Sequence, residues 1–230
     1  ITTRLVGSEM CIRDSLRTLT VIDDASKAAG IDINEISLED PKVYKLFSRG
    51  QTEGVFQFES SGMKQMLMNL KPTKLEHLIA ANSLYRPGPA KQIDLFVENS
   101  HHPEKVRYAL PQLKPILEDT FGCIVYQEQV MQIVRDLGGY TMGRSDLVRR
   151  AMSKKKQSVM EKERANFVYG NPEEGVPGCV ARGIPEKVGL EIYAEMMDFA
   201  KYAFNKSHAA CYAVVAYQTA YLKYYYPVEF

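Results

Sequence analysis

The stretch CIVYQEQVMQIVRDLGG, residues 123–139, contains the pattern that decides the fold of this chain. Its first four residues, CIVY, predict a short strand, and the next eleven, QEQVMQIVRDL, predict a helix that begins directly after it. Gly138 and Gly139 are expected to end that helix, because glycine is a poor helix former and commonly follows a helix end. The rest of the chain follows the same scheme, since its apolar residues recur mostly at helical spacing.

Further helices are predicted on both sides of this stretch from apolar faces and end signals. Asp40 followed by Pro41 is an N-cap and first-turn pair, Thr73 and Glu76 form a candidate capping box, and Gly30 ends the first helix. These signals and the periodicity predict helices over about 16–29, 41–49, 61–70, 73–84, 184–203 and 207–226. The helix within the opening stretch and the one that follows it complete the set.

A second short strand is predicted at GVFQF, residues 54–58, which alternates and ends at polar residues. The expected fold class is therefore mainly α with two short strands, an α-rich α+β fold. No internal domain boundary is predicted between residues 16 and 230, so this whole stretch is expected to be one domain.

The charge of the chain is nearly balanced, which indicates no class of partner by itself. Lys and Arg number 29 against 28 Asp and Glu, a formal net charge of +1, so any electrostatic signal must be local. The sequence contains no run of about 18 apolar residues, the length that a membrane span needs. Its four cysteines are far apart and form no CxxC pair, which favours reduced thiols of a cytoplasmic protein.

A local charge signal lies in LVRRAMSKKK, residues 147–156, which holds five cations. On a helix, the arginines lie on one face and the helix is expected to end near Ser153. The opposite face would consist of Leu147, Val148, Ala151 and Met152. Over residues 144–164, eight cations stand against three acids. Two interpretations fit this run: a solvated helix face, or a site that holds phosphate.

A second candidate anion site is FNKSHAACYA, residues 204–213, where a new helix begins. The free backbone N–H groups and the positive end of the helix dipole at such a place bind anions, and Lys206 and His208 could add side-chain donors. The alternative is that Asn205 or Ser207 is only an N-cap and that His208 packs. Both interpretations stay open on the residues alone.

Six motifs in one order carry a resemblance that covers nearly the whole chain. They are LRTLT (16–20), GVFQFESSGM (54–63), YRPGPA (85–90), YQEQVMQI (126–133), RRAMSKKK (149–156) and FNKSHAACYA (204–213). Together they resemble the alpha subunits of bacterial DNA polymerase III, the C-family replicative DNA polymerases. The resemblance implies the fingers domain of such an enzyme, starting at the junction with the palm domain, in a bacterial cytoplasm.

The resemblance also implies site residues. For binding the incoming dNTP they are Arg149, Arg150, Tyr202, Lys206 and His208. For binding DNA or phosphate they are Lys154, Lys155, Lys156 and Arg86. Arginines suit a triphosphate because their planar donors match phosphate oxygens, Tyr202 would stack on the sugar or base, and the lysines would add a salt-sensitive attraction. For Arg86 the alternative is an exposed side chain on a structural turn.

The catalytic metal ligands are expected to be missing. The resemblance implies Mg²⁺ held by three palm aspartates, and it places the third of them at Ile12, while Asp14 is two positions out of register. Residues 1–15 contain VGSEMCIRDS, which resembles a translated sequencing-adaptor read, so they are expected to be a foreign head. The chain is therefore expected to be a fragment that binds no metal and cannot polymerise DNA alone.

The implied partners are dNTP and primer-template DNA. In the parent enzyme, the sliding clamp and other replisome subunits would bind through regions absent here, and no membrane contact is expected. The alternative function is a stand-alone helical module that binds nucleic acid or protein. That alternative would fit a chain with a natural start and a capped last helix, whereas this sequence begins with Ile and stops a few residues after an apolar helix.

Overall fold

A computed structural model describes residues 17–86, 90–153, 157–200 and 203–230, so the predictions about residues 1–15 lie outside the described residues. In chain order the described helices are α1 Arg17–Ala29, α2 Pro41–Ser48, α3 Ser61–Leu70, α4 Leu75–Leu84, α5 Ala90–His101, α6 Lys114–Leu117, α7 Gln127–Gly138, α8 Met142–Ser153, α9 Gln157–Tyr169, α10 Glu186–Ala200 and α11 Lys206–Tyr225. The predicted helix-rich fold is confirmed.

The described part of the chain divides into two compact units. The first takes residues up to Asn82 together with Ala210–Phe230, and the second takes Ser83–Ala209. Helix α11 therefore contributes its first turn to the second unit and the rest of its length to the first.

In the first unit, the predicted start of α2 is confirmed by its cap. The Asp40 carboxylate accepts a hydrogen bond from the N–H of Lys42, and Pro41 occupies the first turn. The helix predicted from Thr73 begins at Leu75 instead, and the N–H of Thr73 donates to Nδ1 of His77 at 3.2 Å. A side-chain cap therefore marks the start of α2, while Thr73 lies two residues before the start of α4.

The strand predicted at residues 54–58 is wrong, because these residues form turns. The N–H of Val55 donates to the carbonyl of Thr52 at 3.1 Å, and that of Phe58 donates to the carbonyl of Val55 at 3.0 Å. Gln57 has a φ of +66°, a left-handed value that a strand does not contain. Val55 and Phe58 are both fully buried, so the apolar residues that anchor this segment are three apart rather than two.

The core of the second unit lies among α7, α8, α9 and α10. Its fully buried side chains include Ile133, Val134, Leu137, Phe167 and Met196. The predicted stop after α7 is confirmed: Gly139 follows the helix with a φ of +76°, a value that favours glycine. Gly138 is inside the helix, and an added Cβ there would lie 2.8 Å from the ring of Phe167.

The strand predicted at CIVY, residues 123–126, is reduced to one pairing. Tyr126 and Phe204 form an isolated parallel bridge, in which the N–H of Phe204 donates to the Val125 carbonyl at 3.1 Å and the N–H of Gln127 donates to the Phe204 carbonyl at 2.9 Å. Helices α7 and α11 begin at the first and second residues after this bridge.

The described part of helix α8 reaches Ser153, and its buried face differs from the predicted one, of which the Met152 side chain lies outside the description. Val148 and Ala151 are buried, whereas Leu147 is 61% exposed. Ser145 occupies the fully buried position instead, and its hydroxyl donates to the Thr141 carbonyl at 2.7 Å. Residues 145, 148 and 151 form a stripe at helical spacing that leaves the side of Leu147 to solvent.

Two further sequence predictions concern thiols and membranes. Cys123 and Cys179 are buried free thiols and Cys211 is a partly exposed one, so the three described cysteines form no disulfide. Burial raises the pKa of both Cys123 and Cys179 to about 12. Within the described ranges, the helices are all too short or too polar to cross a bilayer.

Candidate functional site

The bridge between Tyr126 and Phe204 brings the starts of α7 and α11 together. Both helices leave this pairing by their N-terminal ends, which carry the positive end of the helix dipole. The residues that follow the bridge on each side therefore form one neighbourhood, although about 77 positions separate them in the sequence. Every side chain described for this site belongs to the second unit.

The start of α11 is capped by acceptors from the chain itself. The Asn205 side-chain oxygen accepts from the N–H of His208 at 2.8 Å, so Asn205 is the N-cap of this helix. The Glu128 carboxylate accepts from the N–H of Lys206 and from the Asn205 amide, both at 3.0 Å. An anion at this place would therefore not meet free N–H groups of Lys206 and His208, because both donate to acceptors of the chain itself.

The two arginines of the RRAM motif share one carboxylate on the same helix. Asp146 accepts from Nε and Nη2 of Arg149 at 2.9 and 2.7 Å, and from Nε of Arg150 at 2.6 Å. These arginines, Arg149 first, hold the pKa of Asp146 below its usual range. The Arg149 side chain is 28% exposed and that of Arg150 is 63% exposed, so Arg150 is the more accessible cation.

Gln127 connects the arginines to the start of α11. Its side-chain oxygen accepts from Nη1 of Arg149 at 3.0 Å, and its amide nitrogen donates to the Ala203 carbonyl at 3.2 Å. The sequence motifs around Arg149 and Lys206 are thereby parts of one cluster. Gln127 and Glu128 were not predicted as site residues, although their positions in the first turn of α7 were a signal that could have found them.

Aromatic rings lie beneath two of the cationic side chains, Arg86 and Lys206. The Arg86 guanidinium stacks on Phe204, 3.7 Å from the ring centroid, and partial burial lowers its pKa. The His208 ring also contacts Phe204, edge-on, with 5.3 Å between the ring centroids. Lys206 Nζ lies 5.3 Å from the ring centroid of Tyr126. Arg86 is thus an exposed side chain at a bend that lies against Phe204, two residues before the start of α11.

Part of the predicted charge patch lies elsewhere. Arg144 pairs with Glu163 at 2.8 Å and with Glu174, and Lys162 also pairs with Glu174 at 2.6 Å. Glu174 lies outside residues 144–164, the range over which eight cations were counted against three acids. That count therefore overstated the local positive charge. The predicted site residues Lys154, Lys155, Lys156 and Tyr202 lie outside the described residues.

The described residues do not supply an evident metal site. In the ranges that the structure describes, His, Cys, Asp and Glu side chains do not gather in groups of three or more that could hold a metal ion. Glu128 and Asp146, the carboxylates of the cluster, are each engaged with hydrogen-bond donors. The cluster is thus equipped to bind an anion through arginine, lysine and histidine, on an aromatic base.

Comparison with known proteins gives a consistent assignment. A sequence model of the family described as bacterial DNA polymerase III alpha subunit finger domain matches residues 18–175. The DNA polymerase III subunit alpha of Thermus aquaticus is 47% identical, over 94% of this chain and 18% of that protein. The protein of the same name from Bacillus subtilis (strain 168) is 42% identical, over 94% of this chain and 19% of that protein. The chain thus spans about a fifth of the length of these relatives.

Proposed function

The chain belongs to the family of bacterial DNA polymerase III alpha subunit finger domains, and on this premise we propose that it holds the triphosphate of an incoming dNTP in a replicative DNA-directed DNA polymerase. The region with this role is proposed to extend over residues 16–230. A cytoplasmic location, primer-template DNA as a ligand, and further replisome subunits as partners of the parent enzyme belong to the same proposal.

The observation that carries the proposal is the link through Gln127. Its bonds to Arg149 and to the Ala203 carbonyl join the RRAM helix to the segment that bears Lys206 and His208. This link supports the proposal that the two motifs, about 50 residues apart in the sequence, line one anion-binding site. A solvated helix face would need no such connection.

The chemistry of the cluster suits a triphosphate. Guanidinium groups bind phosphate oxygens through parallel N–H donors, and Arg150 has an exposed side chain with which to do so. Lys206 adds a compact charge, and His208 can donate one ring N–H in either neutral tautomer. Tyr202, just before this segment, is proposed to stack on the sugar or base.

The DNA phosphates are proposed to be bound at the margins of this cluster. Lys154, Lys155 and Lys156 follow the arginine helix directly in the sequence, and the Arg86 guanidinium lies over the Phe204 ring, 3.7 Å from its centroid. Contacts of this kind with phosphates release counterions, so the affinity for DNA should fall steeply as salt rises.

Catalysis is proposed to require Mg²⁺ ligands that this chain does not supply. The carboxylates of the described cluster hold the arginines and the start of α11, an arrangement that does not fit a metal ion between them. The position that the resemblance assigns to the third palm aspartate holds Ile12. The chain alone is therefore proposed to bind nucleotide without extending a primer.

The test compares two double variants that remove the same charge. We expect Arg149→Ala/Arg150→Ala to weaken binding of dATP with Mg²⁺ at least about tenfold, since hydrogen bonds to charged groups contribute about 1.5–3 kcal/mol. The control, Lys162→Ala/Arg164→Ala, removes two cations whose partners, Glu174 and Glu161, lie outside the cluster. Titration calorimetry measures both, and circular dichroism checks the folds.

An equal loss in the two double variants would mean that only the overall charge matters and would overturn the assignment of the site. Unchanged dATP binding in the first variant would show that the arginines form a solvated face. Retained dATP binding together with primer extension by the chain itself would refute the proposed lack of catalysis alone.

A further inference from the structure

We propose that Gln127 is a positioning residue, which fixes the guanidinium of Arg149 for the triphosphate while leaving its charge intact. This inference rests on the proposed function. It concerns a half-buried side chain at the first position of α7 that does not itself carry charge.

The orientation of the Gln127 amide is determined by its two partners. A guanidinium can only donate and a carbonyl can only accept, so the side-chain oxygen must face Arg149 Nη1 and the nitrogen must face the Ala203 carbonyl, as the distances of 3.0 and 3.2 Å show. A carboxylate of the same length could accept from Arg149 but could not donate to the Ala203 carbonyl, whereas the amide does both through two different atoms. Glutamine therefore has a specific role at this position.

The two sides of the Arg149 guanidinium are held by different kinds of acceptor. Asp146 binds Nε and Nη2 and opposes the positive charge, whereas Gln127 binds Nη1 and is neutral. The neutral acceptor limits rotation of the guanidinium without weakening its attraction for phosphate. It also ties that guanidinium to residue 203, so that Arg149 and Lys206 keep a defined relation.

The neighbouring Gln129 shows what a structural glutamine looks like in the same helix turn. Its oxygen accepts from the N–H groups of Val125 and Tyr126 at 2.8 and 2.9 Å, and its nitrogen donates to the Ile116 carbonyl and the Thr120 hydroxyl. All of these groups are neutral and Gln129 is buried. The partner set of Gln127 differs because it includes a cation at a half-exposed surface.

The test uses Gln127→Ala and Gln127→Glu with titrations of dATP and dAMP in Mg²⁺. Gln127→Ala should weaken dATP binding about tenfold through loss of one charge-assisted hydrogen bond. Gln127→Glu should weaken it further, because the carboxylate opposes Arg149 and cannot donate to Ala203. The control is Gln65→Ala, an exposed glutamine in the first unit whose amide bonds Asn69 at 3.0 Å.

Coupling to Arg149 separates a positioning role from a structural one. In an Arg149→Ala background, Gln127→Ala should change dATP affinity by less than about twofold, because its effect acts through the missing arginine. The loss should also be larger for dATP than for dAMP. Equal losses for the two nucleotides, or a full loss in the Arg149→Ala background, would overturn the inference.

The outcome is distinguishable from failure of the proposed function. If Arg149→Ala/Arg150→Ala weakens dATP binding while Gln127→Ala and Gln127→Glu do not, only the role of Gln127 is refuted. If the arginine variant itself leaves dATP binding unchanged, the proposed triphosphate site is refuted and the positioning role falls with it.

Discussion

Replacing Asp146 by asparagine is expected to tighten the binding of a triphosphate. Asp146 accepts hydrogen bonds from both arginines of the cluster, at 2.6 to 2.9 Å, and thereby competes with any phosphate for the same donors. Asparagine has nearly the same shape and can still accept one bond. The substitution therefore removes the competing charge with little change in volume.

The size of the gain follows from one unit charge near the phosphates. At about 4 Å, two unit charges interact by about 1 kcal/mol in bulk water and more strongly where solvent is partly excluded. The Asp146 side chain is 28% exposed and so partly shielded from solvent, which makes the bulk-water value a lower bound: about 1 kcal/mol, or about fivefold in affinity. The lost helix pairs should lower stability by only about 0.3–0.5 kcal/mol each.

The assay is a dATP titration of the wild-type chain and of Asp146→Asn at low and high salt, with urea unfolding to measure stability. We expect the gain at low salt and a smaller gain at high salt, because ions screen exposed charges. Weaker dATP binding by Asp146→Asn would show that Asp146 orients the arginines productively, and the argument from competition would then be wrong. A gain of affinity avoids the ambiguity of a variant that loses binding by misfolding.

Two other predictions concern backbone strain and pH. Gly178→Ala should destabilise the chain by about 1–3 kcal/mol more than Gly175→Ala. Both glycines have positive φ, but a Cβ at Gly178 would lie 2.2 Å from the N atom of Gly170, whereas a Cβ at Gly175 would meet nothing within 4 Å. Equal urea midpoints of the two variants would contradict this. The Tyr225 hydroxyl donates a hydrogen bond to the Asp40 carboxylate at 2.6 Å and lowers the pKa of that carboxyl from 3.8. This hydrogen bond therefore stabilises the fold above pH 3.8, and the stabilisation is lost as the pH falls through the lowered pKa of Asp40. Tyr225→Phe should therefore destabilise at neutral pH, lose this effect in strong acid, and raise the Asp40 pKa measured by NMR; an unshifted pKa would refute the assignment.

Helix positions were predictable where the signals are local. Residues 61–70 were predicted to the residue, and the Asp40–Pro41 start of α2 was found from a pair of adjacent residues. The segment at 54–58 failed because its short alternating pattern is also compatible with consecutive turns, and nothing local reveals the positive φ of Gln57. Short apolar runs are the weakest basis for predicting a strand.

The candidate site was predictable only in its cations. The motifs indicated Arg149 and Lys206, because charge and helix-start position are visible in the sequence. Gln127 and Glu128 were missed, since their partners Ala203 and Lys206 lie 76 and 78 residues away. The sequence suggested that the N–H group of Lys206 was free to bind an anion. In the structure this N–H donates to Glu128, a partner too distant in the sequence to be predicted.

The parallel bridge of Tyr126 with Phe204 has a consequence for the order in which the molecule folds. Closing a loop of about 77 residues costs about 4 kcal/mol of chain entropy, while each hydrogen bond across it contributes about 1 kcal/mol. The few hydrogen bonds at this junction barely offset the entropic cost of closing the loop. They leave no free energy to order the side chains around them. We therefore expect the junction to form only after α7 to α10 have packed around Phe167 and Met196. The cluster of side chains at this junction is thus expected to form late in folding, so that an ordered cluster would report that the core behind it has condensed.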